Sequence, residues 1–304
     1  MLNRAITLLL VVLILFTPLA FGSMEIWAYS LMELGILLIV ILWAVQAGMT
    51  GFRAKEKSHQ STIPHPQSSI PVVFLALFLL LVLFQMISLP SGILKIISPR
   101  TFEIRQLLSI LNVDPSVLRL EPSALSLEHS SGSFPLSFFP YLTRIEFFKW
   151  LALAGLFVFL LGWKPLEHSG RTRKQLLVAV MAAGVLESLY GMFEFFSGHR
   201  HILNVAAETL VTSATGTFIN RNYFAGYLIT AIPLGVGFLF SREAARAGRY
   251  RGWRHWLSSL DGKTLLIGFG VTVMILGLLF SASRMGILSL MLSFSLIILV
   301  FRRS

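Results

Sequence analysis

The sequence predicts an all-α protein, a polytopic bundle of membrane-spanning helices, and three observations support this. The mean hydropathy is +0.78, and 55% of the 304 residues are hydrophobic while only 13% are charged, about half the charged fraction of a soluble protein. Several apolar runs approach the roughly 20 residues that cross a bilayer. None alternates strictly as a membrane β-strand does. Because backbone groups in lipid must be hydrogen-bonded within the segment, these runs are predicted to be helices.

The apolar runs predict about eight transmembrane helices. They lie near residues 5–21, 30–48, 71–89, 145–163, 176–196, 223–240, 264–280 and 285–301. The first run follows a short basic start and therefore also fits a signal peptide. Its length, and the second run close behind it, favour a retained helix.

Lysine and arginine predict the orientation of the bundle. With the N-terminus inside, 16 of the 25 basic residues fall in inner segments, where Lys and Arg are enriched. These residues are Arg4, Arg53, Lys55, Lys57, Lys164, Arg171, Arg173, Lys174, Arg242, Arg246, Arg249, Arg251, Arg254, Lys263, Arg302 and Arg303. Both termini are therefore predicted to lie inside. The outer side then holds turns near 22–29 and 281–284, a loop near 197–222, and a segment at 90–144 between helices 3 and 4, which predicts short surface helices.

The formal net charge of +11 does not predict a nucleic-acid partner. In a membrane protein such an excess orients loops and meets anionic headgroups of the lipid bilayer. The inner loop 241–263 places arginines among Tyr250, Trp253 and Trp256. Beside a membrane helix this pattern favours an amphipathic segment on the anionic leaflet over a nucleic-acid site.

The residue types also argue against a metal site or a cofactor. Cysteine is absent, which excludes disulfides and thiolate chemistry. No D-x-D or E-x-D pair and no nucleotide-binding glycine loop occurs. His199 and His201 form an H-x-H pair, but no third ligand lies at an informative spacing.

Four arginines in outer segments, Arg144, Arg200, Arg221 and Arg284, run against the charge bias. Arg221 lies directly before helix six, and Arg284 lies in a turn so short that its guanidinium must be near bilayer depth. A charge there costs a few kcal/mol, and guanidinium is a planar donor suited to phosphate oxygens. Arg221 and Arg284 together therefore predict a site for an anionic headgroup such as a diphosphate.

Two carboxylates in helix five are candidate partners for these arginines or candidate general bases. Glu187 and Glu194 are seven residues apart and are predicted to share one helix face. Either can orient an arginine or act as a general base. The structural alternative is an ion pair that keeps the bundle in register, and it is favoured for Glu187. If Arg221 and Arg284 do not form a headgroup site, they snorkel to the interface or pair with these carboxylates.

Five segments of the sequence resemble, in the same order, segments of a known family of membrane proteins. They read "LAFGSMEIWAYSLMELGILLIV", "FQMISLP", "PYLTRIEFFKWLA", "GTFINRNYFAGYLITAIPL" and "FSASRMGILSL". Together they resemble the bacterial O-antigen ligase and O-antigen polymerase family of membrane glycosyltransferases. The Asn-Arg-Asn and Ser-Arg segments are the most specific of them.

The resemblance implies a single O-antigen-ligase-like transmembrane domain over residues 1–304, in the bacterial inner (cytoplasmic) membrane, acting in lipopolysaccharide biosynthesis. It implies metal-independent transfer of a glycan from undecaprenyl diphosphate to a sugar hydroxyl at the periplasmic face. The acceptor is the lipid A core in a ligase and a growing glycan in a polymerase. Carried over by motif, Arg221 and Arg284 bind the diphosphate, with Asn220 and Asn222 as neighbouring hydrogen-bond donors. The candidate supporting residues are Arg144, Arg200, Glu187 and Glu194.

Members of this family usually continue into a large outer loop whose histidine is proposed as the general base, whereas this chain ends at "VFRRS". We therefore expect either that the sequence is the front part of a longer protein or that it is a split or shortened member needing a partner, and we assign no base to His129, His199 or His201. Two other functions stay open: a transporter of an anionic lipid-linked solute, and a non-catalytic scaffold or truncated product. Pro233 in helix six has no counterpart in helix two, which counts against the paired broken helices of transporters.

Overall fold

The computed structural model describes residues 2–55, 69–110, 133–198, 201–203, 205–206, 213–244 and 261–303, and these residues are predominantly α-helical. The α-helices are α1 (Leu2–Leu19), α2 (Ile26–Lys55), α3 (Ser69–Met86), α4 (Ser91–Ile97), α5 (Pro99–Ile110), α6 (Pro140–Gly162), α7 (Lys164–His168), α8 (Gly170–Ser197), α9 (Arg221–Ala244), α10 (Gly262–Phe280) and α11 (Arg284–Arg303). Two short antiparallel ladders pair β1 (Ser88–Pro90) with β2 (Ser133–Pro135), and β3 (His201–Ile202) with β4 (Val205–Ala206).

The helices confirm an all-α membrane bundle. Within the described ranges, six helices are long and apolar enough to cross a bilayer. They are Leu2–Leu19, Ile26–Met49, Pro140–Gly162, Gly170–Ser197, Arg221–Ser241 and Gly262–Phe280. Two further apolar helices, Ile70–Met86 and Arg284–Leu299, are shorter. Each of the eight predicted spans falls on one of these eight helices, while the number of crossings and the N-in, C-in orientation stay predictions.

Large apolar side chains cover the outward faces of these helices. Phe240 of α9 and Leu266 of α10 are each 70% exposed, and Phe269 of α10 is 61% exposed. Water would penalise a continuous apolar surface of this kind, whereas acyl chains are as apolar as the side chains themselves. The surface therefore suits a lipid environment.

The first of two compact units comprises Met1–Gly35 and Lys164–Ser304. Here α8 packs against α1, α9 and α10, and α9 packs against α10 and α11. Phe224, Leu228 and Ile232 of α9 are fully buried beside Met274 and Leu278 of α10. This core fixes the ends of α8 to α11 relative to one another.

Side-chain caps set where two of these helices begin. The Ser169 hydroxyl accepts a hydrogen bond from Thr172 N at 3.2 Å at the start of α8, and Asp261 Oδ1 accepts one from Thr264 N at 2.9 Å at the start of α10. Ser and Asp are preferred at this position because their oxygens satisfy a backbone N–H that has no helical partner. At its other end α8 stops at Gly198, whose φ of +66° is left-handed.

The second unit comprises Ile36–Trp163. Helices α3 and α6 pack together, and the long segment between them forms α4, α5 and the β1–β2 ladder in its described parts. The short helices were predicted, whereas the ladder was not. Arg105 of α5 donates to Ser137 O at 2.7 Å, and burial lowers the pKa of its guanidinium.

Candidate functional site

The helices α9 and α11 begin in the same way, with a capping residue followed by an arginine. Asn220 Oδ1 accepts from Asn222 N at 2.8 Å, and the Ser283 hydroxyl accepts from Gly286 N at 3.3 Å. Each capping residue also accepts the first helical hydrogen bond on its backbone carbonyl. Arg221 and Arg284 are therefore the first residues of their helices. A cation at a helix start opposes the helix dipole by about 0.3–1 kcal/mol, so these arginines do not serve helix stability.

A side-chain hydrogen bond joins the two helix starts. The Ser283 hydroxyl donates to Asn222 Oδ1 at 3.1 Å. Close packing accompanies it, since a Cβ added at Gly286 would lie 2.8 Å from the Ala225 Cβ. Asn222 keeps its two amide N–H groups as donors once its oxygen is used in this way. We call Asn220, Arg221, Asn222, Ser283 and Arg284 the paired helix starts.

The paired helix starts carry positive charge without a carboxylate partner among the described residues. Both arginines are exposed. The ion pairs recorded in the described part of the chain lie elsewhere, in α5 and α6. The N-terminal ends of α9 and α11 add partial positive charge of about half an elementary charge each. The arrangement presents donors and positive charge to a ligand, which is the chemistry of an anion site.

The segment 213–220, which leads into α9, is held by backbone and buried polar contacts. Ala214 N donates to Phe280 O, the last residue of α10, at 2.9 Å. Ser213, Gly216, Thr217 and Phe218 are buried. The segment therefore fixes the start of α9 against the α10–α11 turn, which directly precedes Arg284.

Glu187 of α8 holds this segment. Its side chain is fully buried, its Oε2 accepts from Thr217 N at 2.8 Å, and its Oε1 accepts from the Thr217 hydroxyl at 2.8 Å. Thr217 Oγ1 also lies 2.8 Å from Pro18 O at the end of α1. The ion pair favoured for Glu187 is not found among the described residues, where its partner is Thr217 instead. The carboxylate positions backbone next to the site and does not face a ligand.

Gly216 is required beside this carboxylate. Its φ of +60° lies in the left-handed region, and an added Cβ would collide with Glu187 Oε2 and approach the Phe224 ring at 3.0 Å. Only glycine meets both conditions.

Glu194 lies on the same buried side of α8 as Glu187, as the seven-residue spacing predicted. Its carboxyl is beside the Tyr190 hydroxyl, which accepts from Leu203 N at 2.7 Å. Glu194 Oε2 has no hydrogen-bond partner among the described residues. Glu194 is therefore placed near the chain that follows α8, and among the described residues no ion pair joins it to Arg221 or Arg284.

The remaining candidates lie in the second unit or outside the described residues. Arg144 belongs to the second unit, is exposed, and lies over the Tyr141 ring at 5.8 Å. Arg200, His199 and His129 lie outside the described residues. In the described part of the chain no three His, Asp or Glu side chains are grouped as metal ligands would be.

Two residues of the site were missed from the sequence. Ser283 precedes an apolar run in "SASRMG", so its capping position was a readable signal. Thr217 carried no such signal, because its partners Glu187 and Pro18 are 30 and 199 residues away.

No protein-family model, no curated protein and no solved structure matches this chain. The resemblance to the O-antigen ligase and polymerase family therefore stays a prediction from the five sequence segments.

Proposed function

We propose that the paired helix starts bind the diphosphate of an undecaprenyl-diphosphate-linked glycan, and that the chain takes part in transfer of that glycan to a sugar hydroxyl. The acceptor is the lipid A core or a growing glycan. The site faces the periplasm in this proposal, and the protein is a multi-pass protein of the bacterial inner membrane. The observation that carries it is the hydrogen bond between Ser283 and Asn222, which joins two arginine-headed helix starts.

The chemistry of the leaving group supports this assignment. During transfer the bond between the anomeric carbon and a diphosphate oxygen breaks, so negative charge grows on the diphosphate. Donors already aimed at that charge stabilise the transition state more than the ground state. Arg221 and Arg284 supply forks of N–H donors, and the Asn222 amide supplies two more. Two guanidinium groups provide the positive charge that a bound divalent cation provides in metal-dependent transferases.

The acceptor hydroxyl must lose its proton to a base, and we exclude Glu187 from that role. Both of its oxygens are engaged by Thr217, and its side chain is fully buried. A general base must reach the proton that it removes. The proposal therefore assigns donor binding to this site and assigns no base.

Binding of undecaprenyl diphosphate to the purified chain tests the proposal directly. The substitutions Arg221→Gln and Arg284→Gln each remove a charge-assisted hydrogen-bond donor worth about 1.5–3 kcal/mol, so each is expected to weaken binding about 10- to 150-fold. The affinity is measured by titration in detergent. Arg100→Gln is the matched control, because Arg100 is an exposed arginine of α5, and it is expected to bind like the native chain. Native affinity in both site variants would reject the proposal.

A second assay separates transfer from transport. Membranes that contain the chain are incubated with a labelled undecaprenyl-diphosphate glycan, and release of undecaprenyl diphosphate is followed. Release that depends on Arg221 and Arg284 supports transfer. Movement of the intact lipid-linked glycan across the membrane without release would instead favour the transporter alternative.

A further inference from the structure

A groove between α1 and α8, within the first unit, is distinct from the paired helix starts. Its volume is about 1060 Å³, at the upper end of the roughly 300–1,000 Å³ of small-molecule pockets. It is lined by the N-terminal three-quarters of α1 and by the start and first half of α8. Pro18 near the end of α1 and Glu187 of α8 both contact Thr217, and the groove is lined by earlier residues of both helices, so the two helices run parallel along it.

One end of the groove is basic. Arg4 of α1 and Arg171 and Lys174 of α8 line it there, and all three are exposed. None of the described residues that line the groove is acidic. None of the three cations forms an ion pair with a described residue. The Ser169 and Thr172 side chains lie at the same end, so hydroxyl groups accompany the charges.

The rest of the groove is apolar along its length. Leu8, Val11 and Leu15 recur at the spacing of one face of α1, and Val178 and Ala182 line the facing side of α8. From Arg4 to Leu15, as from Arg171 to Ala182, the helix rises about 16 Å at ~1.5 Å per residue. The hydrocarbon core of one leaflet is about 15 Å thick, half of the roughly 30 Å bilayer core. An acyl chain therefore matches the groove in length and polarity.

We propose that the α1–α8 groove binds an anionic glycerophospholipid, with its phosphate at Arg4, Arg171 and Lys174 and one acyl chain along Leu8, Val11 and Leu15. Charge complementarity selects this ligand, because an uncharged lipid leaves three cations unpaired. The predicted N-in orientation places the basic end in the inner leaflet, where anionic lipids attract Lys and Arg. The groove and the paired helix starts have no residue in common, so the lipid site is independent of the diphosphate site.

Lipid titration of the full chain in detergent, followed by native mass spectrometry, tests the groove. Phosphatidylglycerol is the probe and phosphatidylcholine is its zwitterionic counterpart. The double variant Arg171→Gln/Lys174→Gln is expected to bind phosphatidylglycerol about 30-fold more weakly, since each basic residue near an anionic surface contributes roughly fivefold. Its phosphatidylcholine binding is expected to be unchanged.

Two further variants keep the test specific. Lys164→Gln/Lys263→Gln removes two exposed charges that do not line the groove, and it is expected to retain native phosphatidylglycerol affinity within about twofold, since neither charge contacts the lipid. Ala182→Phe fills the apolar part without changing charge, and it is expected to weaken binding of the lipid while leaving folding intact, because Ala182 is exposed.

Three results would overturn the proposal. The first is equal affinity of the native chain for phosphatidylglycerol and phosphatidylcholine. The second is an equal loss in the Lys164→Gln/Lys263→Gln control, which would indicate a diffuse basic surface. The third is full competition by glycerol 3-phosphate, a headgroup without acyl chains, together with native affinity in Ala182→Phe.

Discussion

At the scale of single residues, Thr217 is where contacts from three parts of the first unit meet. Its backbone N–H and its hydroxyl both reach Glu187 of α8, and the hydroxyl also reaches Pro18 O at the end of α1. The residue is 3% exposed. Buried acceptors that lose their donor keep the full cost of having left water. The position of the 213–220 segment, and with it the start of α9, therefore depends on one hydroxyl.

Substitution of Thr217 by valine tests this dependence. Valine keeps the shape of threonine but removes the hydroxyl, whose single proton Glu187 Oε1 and Pro18 O share, so we expect a loss of about 1–3 kcal/mol in the free energy of unfolding. Thr217→Ser retains the hydroxyl and is expected to lose less than half as much. Unfolding of both variants in detergent is followed by circular dichroism. Equal stability of the valine and serine variants would show that the hydrogen bonds contribute nothing.

The sequence predicted some residues of the site and not others for a physical reason. Arg221 and Arg284 could be identified because a charge near a membrane surface is costly wherever the chain folds. A structural role was favoured for Glu187, but its partner was not identified, because any donor from the rest of the bundle satisfies a carboxylate equally well. Local sequence reveals charge and periodicity, but it does not reveal a contact between residues 30 positions apart.

At the scale of the elements, α9 and α11 act as a pair because their first turns are joined. The Ser283 hydroxyl accepts from Gly286 N and donates to Asn222 Oδ1. It thus caps its own helix and fixes the neighbouring one. The close packing of Gly286 on Ala225 keeps the two starts near each other. Loss of the Ser283 hydroxyl should therefore affect ligand binding as well as helix stability.

The comparison of Ser283→Ala with Ser169→Ala separates these two effects. Each variant removes a serine cap and is expected to lose about 0.5–2 kcal/mol of stability. Only Ser283→Ala also releases Asn222, so only this variant is expected to bind undecaprenyl diphosphate more weakly, by about two- to tenfold for one neutral hydrogen bond. Titration and thermal unfolding of both variants measure the difference. Equal diphosphate affinity in the two variants would mean that the link between the helices has no role in binding.

At the scale of the whole molecule, local hydropathy was sufficient to locate the apolar helices. Each of the eight predicted spans falls on an apolar helix, because a run of about 20 apolar residues has no other stable form in lipid. The β1–β2 ladder between Ser88–Pro90 and Ser133–Pro135 was not predicted. Each strand is three residues long, too short for an alternating pattern, and its partner is some forty residues away.

The absence of cysteine makes the predicted orientation testable. Met24, 52% exposed between α1 and α2, is predicted to lie outside, and exposed Lys164 is predicted to lie inside. Single variants Met24→Cys and Lys164→Cys are treated in intact cells with a maleimide that does not cross membranes. We expect labelling of Met24→Cys in intact cells and of Lys164→Cys only after permeabilisation. The reverse pattern would place the paired helix starts in the cytoplasm and remove the basis for a periplasmic reaction.

The contact between Thr217 and Pro18 has a consequence for biosynthesis. The last carbonyls of α1 have no helical donor of their own, and Pro18 O receives its hydrogen bond from a residue 199 positions later in the chain. Pro18 O therefore lacks this donor until Thr217 has been synthesised, after α2 to α8. The end of α1 therefore gains this contact only after the entry to α9 has been made, so assembly of the first unit cannot be complete before that point.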